Sequence, residues 1–373
     1  MELLDKPPVE RIHYFNDYTV AHPFFLVAYK TLLQRIHNPS TKSIFLVYGP
    51  SGVGKSTLIK KVAEKIINDL MDQIISNPGF IPVTGIEARA PDKGYYDWRD
   101  HYIRSLLALK EPLVEHKVDI KKKPDIEIKV NDVNRKLRSS LETALKYRET
   151  LAFFIDEAQH ISFNSSSKSS NNQMNMIKSL ASTTKTPHIL FGTYEILDFR
   201  DSLGQLSRRG LDIHLRRYDI QKSNEQKMFI QTLWNIQRQI PIQIEPELIE
   251  HWEYFYQVSL GCIGILKDLI STTLEYKLLE NPDASELTLG DFKEYALTPN
   301  QAFKLAQEAL DGEANVKVNN RSRDDVLNLL LGNNSNTDEE EEIATDEEKV
   351  QENKTKKKRK VGERNPKRDA VGE

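Results

Sequence analysis

Residues Gly49, Pro50, Ser51, Gly52, Val53, Gly54, Lys55 and Ser56, with Thr57 behind them, fit the pattern G-x-x-x-x-G-K-[ST]. Small residues in such a loop let backbone N–H groups turn toward an anion, and the helix that follows adds the positive end of its dipole. Lys55 then reaches the β- and γ-phosphates of a nucleoside triphosphate, and the Ser56 hydroxyl is a ligand for Mg²⁺. About a hundred residues downstream the chain reads Phe153-Phe-Ile-Asp156-Glu157. An aspartate closing a buried strand holds the same Mg²⁺, and the adjacent glutamate orients or deprotonates an attacking water. The chemistry implied is hydrolysis of ATP with Mg²⁺, centred on Lys55, Ser56, Asp156 and Glu157.

Two further sets of residues could join this site. Thr193 follows the apolar run Ile189-Leu-Phe-Gly192, where it either touches a γ-phosphate and its water or caps the next helix. Gln205-Leu-Ser-Arg208-Arg209-Gly210 places two arginines on a polar turn. One of them either reaches the γ-phosphate held by a neighbouring subunit or is ordinary solvated surface.

Positioning these groups requires strands that end together. Ile44–Tyr48, Phe80–Glu87, Leu151–Ile155, Ile189–Gly192 and Leu211–Leu215 read as strands, and amphipathic stretches between them read as helices. Continuous apolar strands alternating with helices predict an α/β fold, a parallel sheet flanked by helices on both faces. The boundaries expected are an N-terminal helical segment over 1–40, an α/β core over 41–218, a small all-helical lid over 219–312 and a disordered charged tail over 313–373. Asn16 to Gln34 reads as helix, Lys110 to Asn134 as a charged surface insertion, and Thr288 as a helix cap.

Composition narrows the class. The chain of 373 residues has 52 Lys+Arg against 55 Asp+Glu, a net charge of −3, so any nucleic-acid surface must be local. The single cysteine, Cys262, cannot close an internal disulfide and fits a reducing compartment. No apolar run is long enough to span a membrane and the first residues carry no signal-peptide core, which predicts a soluble cytoplasmic protein.

The order of these motifs resembles the AAA+ ATPases: Walker A at Gly49–Ser56, Walker B at Phe153–Glu157, a sensor-like Thr193, a finger-like Arg208/Arg209 and a helical lid. Within that group Asp156-Glu-Ala-Gln-His160-Ile, His22-Pro-Phe-Phe and Ser259-Leu-Gly-Cys-Ile-Gly-Ile-Leu-Lys267 are similar to the TnsC/TniB transposition regulators, the resemblance covering roughly 15–300. Many lids of this kind carry an arginine toward the nucleotide; here Gly261-Cys-Ile-Gly264 stands in its place and Lys267 is the nearest cation.

That resemblance implies an ATP-loaded, bacterial, nucleoid-associated subunit that assembles head-to-tail into a ring or helical filament on double-stranded DNA. The assembly would link a target-selection protein to the transposase. DNA would be gripped through its phosphates, with Lys93, Arg99, Arg104 and Lys168 as candidate contacts among ordinary surface charges. The block Lys356 to Lys360 reads as a docking or DNA-touching tail, or simply as a solubilising one. Two other readings stay open: a helicase loader or replication initiator, and a low-turnover signalling switch.

Overall fold

The computed structural model describes residues 3–38, 43–91, 96–112, 114, 130–161, 167–197 and 210–318. All of them fall in one compact unit, Met1–Asn319. Five parallel strands form one sheet: β1 (Ile44–Tyr48), β2 (Val83–Glu87), β3 (Ala152–Asp156), β4 (His188–Gly192) and β5 (Gly210–His214). They lie in the order β2-β3-β4-β1-β5, with Tyr48 opposite both Gly192 and His214, and Glu87 opposite Asp156.

Parallel strands have their carboxyl ends on one edge, so the turns after β1, β3 and β4 are brought side by side. The sheet is covered on both faces, which is why β1, β3 and β4 read as unbroken apolar runs. Ile44, Leu46, Phe153, Ile155 and Leu190 point to one side, and Phe45, Val47, Phe154, Ile189 and Phe191 to the other. The first face is packed by α5 (Trp98–Ala108), α6 (Val130–Tyr147) and α7 (Ser167–Thr184). The second is packed by α2 (Pro23–His37) and α3 (Lys55–Asp69), the latter followed by the short α4 (Met71–Ser76).

Between residues 223 and 318 the described elements are all helices: α8 (Ser223–Gln237), α9 (Trp252–Ser259), α10 (Ile263–Glu280), α11 (Leu289–Glu294) and α12 (Pro299–Val318). Thr288 caps α11 in a capping box with Asp291, as its position predicts. α12 continues through Glu313 to Val318, so ordered helix extends beyond the point where the composition turns polar. The segment expected as one helix from Asn16 is instead two. α1 (Pro8–Asp17) starts at a proline, the chain is extended at His22, and Pro23 restarts the helix.

The two N-terminal helices belong to different cores. Ile12 and Phe15 of α1 pack with Phe229, Leu233, Ile263 and Leu266 of the helical region, whereas Phe25, Ala28 and Leu32 of α2 pack on the sheet. Arg11 fixes α1 to the helical region by donating twice to the Pro241 carbonyl, at 2.9 and 2.7 Å. The insertion expected over Lys110–Asn134 lies largely outside the described residues, with α6 beginning at Val130.

Candidate active site

The loop between β1 and α3 is held open by backbone that side chains resist. Gly54 has φ +105°, at the entrance to α3, where a Cβ would be strained. Lys55, the first residue of the helix, is buried. Its Nζ donates to the carbonyls of Gly49 and Pro50 at 3.0 and 2.9 Å. Burial lowers its pKa, and Glu157 and Asp156 oppose that loss of charge. The ammonium thus bonds the loop's own oxygens, and phosphate oxygens are stronger, charged acceptors for the same protons.

Ser56 donates its hydroxyl to Asp156 Oδ2 at 3.2 Å. Burial raises the Asp156 pKa, while the backbone N–H of Glu157, at 2.9 Å from Oδ1, and the Ser56 hydroxyl pull it back. One hydroxyl and one carboxylate meeting at a phosphate loop are hard oxygen donors suited to Mg²⁺, which keeps waters and phosphate oxygens in its shell. Among the described residues no group of three or more His, Cys, Asp and Glu gathers elsewhere as a metal site.

Glu157 sits in the left-handed region, φ +50°. Such a conformation in a non-glycine residue costs on the order of 1 kcal/mol, and Lys110, Glu149, Lys185 and Leu260 share it. Its Oε2 accepts from Gln159 Nε2, and Gln159 Oε1 in turn accepts the backbone N–H of Thr193 at 3.3 Å. The Thr193 hydroxyl caps nothing and is buried without a hydrogen-bond partner.

The helical region meets the loop through a backbone hydrogen bond, with the Ile265 side chain packed against Gly52. Ile265 N–H donates to the Gly52 carbonyl at 3.1 Å. A Cβ on Gly264 would strike that carbonyl, so glycine at this point is what permits the approach. Beside this contact lies a cleft of about 320 Å³ bordered by Tyr18, Val20, His22, Gly54, Thr57 and Lys267. His22 is buried against Tyr218, 3.1 Å from its hydroxyl, and burial pulls its pKa down to about 4.

Lys267 does not reach the loop. Its Nζ donates to the Phe15 carbonyl at 2.5 Å and to Ser271 Oγ at 3.1 Å, 3.7 Å over the Phe15 ring, and burial lowers its pKa to about 8. On the opposite side of the loop, α12 borders Pro50, Ser51 and Thr193 through Ala309, Gly312 and Asn315. Glu313 receives a bidentate pair from Arg217 at 2.9 and 3.0 Å.

The structure therefore brings Gly49–Thr57, Asp156, Glu157 and Thr193 into one crevice. Arg208, Arg209 and Lys93 lie outside the described residues, as does the side chain of Lys168. Arg104 donates to the Glu87 carbonyl at 2.6 Å, and Arg99 stands in the first turn of α5 beside it. Sequence reasoning gave Gln159, Gly264 and the α12 contacts no role in the site. Gln159 was visible only as a polar residue two places past Glu157, Gly264 only as a small residue at a helix start, and α12 carried no motif.

Among the described residues no helix is long and apolar enough to cross a membrane. Residues 36–199 match the family model described as AAA domain. No curated protein matches the chain in sequence. Among solved structures, the chain is similar to the Walker-type ATPase PABY2304 of Pyrococcus abyssi, with 17% identity over 78% of this chain and 73% of that one, TM-score 0.42. It is also similar to the ORC2 protein of Aeropyrum pernix in ADPNP–ADP complexes, 14% identical over 86% and 79% of the two chains, TM-score 0.46. The Aeropyrum pernix ORC1 protein in complex with DNA is 14% identical over 76% and 68%, TM-score 0.48. Strand order, phosphate loop and acidic pair make this the AAA+ P-loop fold, and residues 36–199 are the part that matches the AAA domain family.

Proposed function

We propose that the chain is an ATP-hydrolysing regulator of transposition that assembles on double-stranded DNA. The observation that carries the ATPase part is the convergence of Lys55, Ser56, Asp156 and Glu157 at the carboxyl edge of the sheet. The transposition part is supported by the likeness of Asp156–His160, His22–Phe25 and Ser259–Lys267 to the TnsC/TniB regulators.

In this reading Lys55 exchanges the Gly49 and Pro50 carbonyls for phosphate oxygens, and the cleft beside Tyr18, Val20 and His22 takes the base and ribose. Ser56 and Asp156 hold Mg²⁺, which when bound neutralises charge on the β- and γ-phosphates. Glu157 accepts the proton of the attacking water. Thr193 offers its unpartnered hydroxyl to the γ-phosphate side. Arg208 or Arg209 serves a neighbouring subunit in trans. Head-to-tail contacts that fail to close build a filament, and Lys93, Arg99, Arg104 and Lys168 touch its DNA. A target-selection protein and the transposase bind that filament.

Electron microscopy of the full chain with duplex DNA and ATP or a non-hydrolysable analogue tests this. The expected result is a ring or helical assembly threaded by DNA, formed on any duplex. A chain that stays monomeric under those conditions overturns the proposal. Assembly restricted to one DNA sequence, or loading of a helicase, would favour the replication-initiator reading instead.

A further inference from the structure

Gln159 is buried between two groups of the site and bonds both at once. The Thr193 backbone N–H can only donate, so it requires the oxygen of the Gln159 amide on its side. The –NH₂ is thereby forced toward Glu157, where it donates to Oε2. The orientation of the amide follows from chemistry and is fixed at both ends. Room for it is made by Gly192, where a Cβ would collide with Gln159 Oε1. Glu157 meanwhile has a left-handed backbone, φ +50°. At the other end of the bridge, the Thr193 hydroxyl is buried without a hydrogen-bond partner in the chain.

We infer that Gln159 is a positioning residue that ties the carboxylate of Glu157 to the end of β4 at Thr193, setting where the base stands and transmitting to it any displacement of the Thr193 segment. The inference rests on the reading of Glu157 as the base. A donor on one oxygen leaves the other free to accept the proton of water and holds the carboxylate in one rotamer. A misplaced base loses rate without losing substrate, because Gln159 does not line the cleft beside His22.

The test uses full-length protein, with steady-state ATP turnover across pH and nucleotide affinity measured separately. Gln159→Met keeps side-chain volume while removing both bonds. It is expected to lower kcat about 10-fold, as misorientation of a reacting group does, with nucleotide Kd within about 2-fold of the parent. That affinity also reports a folded site. Gln159→Glu places a second carboxylate against Glu157, and two acids at such range share a proton. The acid limb of its kcat–pH profile is expected to move up by about 1 pH unit. A purely structural role would lower kcat evenly at every pH.

Glu157→Gln separates the two levels of the claim. If it retains full turnover, the base assignment fails and the inference with it. If it abolishes turnover while Gln159→Met and Gln159→Glu keep the parental kcat and pH profile, the positioning role alone is overturned.

Discussion

The Ser56 hydroxyl donates to Oδ2 of Asp156 across 3.2 Å, joining the first turn of α3 to the end of β3 although the two residues stand 100 positions apart. In the proposed reading that pair holds Mg²⁺, each partner supplying an oxygen. Ser56→Ala is expected to reduce the gain in ATP affinity produced by Mg²⁺ about 10-fold, one lost ligand bond of about 1.4 kcal/mol. Titrating nucleotide with and without the metal measures it, and an unchanged gain would remove Ser56 from the metal site.

Lys55→Ala removes the ammonium bonded to the Gly49 and Pro50 carbonyls. A charge-assisted hydrogen bond contributes about 1.5–3 kcal/mol, so ATP affinity is expected to fall between about 10- and 100-fold. Equilibrium binding of a fluorescent ATP analogue decides it; unchanged affinity would refute the phosphate-loop reading.

Gly264→Ala drives a methyl group into the Gly52 carbonyl, against backbone that cannot swing aside. Overpacking of this kind costs about 1–3 kcal/mol. Because the collision is with the phosphate loop, nucleotide affinity should weaken together with the melting temperature. A variant that melts lower yet binds ATP normally would show that the loop and α10 relax independently.

Arg217 and Glu313 anchor α12 to the chain after β5, with only 15% and 20% of their side chains exposed. Breaking the pair with Arg217→Met or Glu313→Leu should cost about 2 kcal/mol each, between a surface and a buried pair. The double variant should recover part of that, since no charge is left stranded. Denaturant unfolding of the four proteins gives the coupling energy; additive losses would mean the pair does not hold α12.

Acid should weaken the fold through its buried histidines. His101 is enclosed, accepting or donating at 2.8 Å with the Tyr96 hydroxyl, and burial, then His188 and Arg104, pull its pKa down to about 3. The unfolded chain, near 6.5, therefore binds more protons between those values, and stability rises with pH across that window. Full stability is present above about pH 6.5 and is lost as pH falls toward 3. At pH 5 the penalty is about 2 kcal/mol for this residue. His101→Gln should lose about that much less stability than the parent between pH 7.5 and 5, by thermal unfolding.

The sheet and the phosphate loop were legible because their signals are local. Ile44–Tyr48 and Phe153–Ile155 are unbroken apolar runs because both faces are covered, and Gly49–Ser56 is constrained residue by residue. The acidic pair at the end of β3 was legible for the same reason. The split between α1 and α2 was not, since Phe15 and Phe25 are equally apolar and only the folded chain shows that they enter different cores. Lys267 illustrates a different limit. Sequence spacing set it near the nucleotide, but the Phe15 carbonyl and ring, 252 positions away, claim its ammonium. Gln159 escaped because its meaning depends on Thr193, brought alongside by the pairing of β3 with β4.

The bond from Ile265 N–H to the Gly52 carbonyl has a mechanical consequence. Side chains between two elements act as springs, since rotamers absorb small displacements. Here a backbone hydrogen bond joins the two elements and Gly264 lies against the Gly52 carbonyl, so little rotamer freedom stands between them. A shift of the phosphate loop by a fraction of an ångström must be handed on to the first turn of α10, and an 18-residue helix acts as a lever arm that enlarges it at the far end. Any ligand that moved the phosphate loop would thereby tilt the helical region with it.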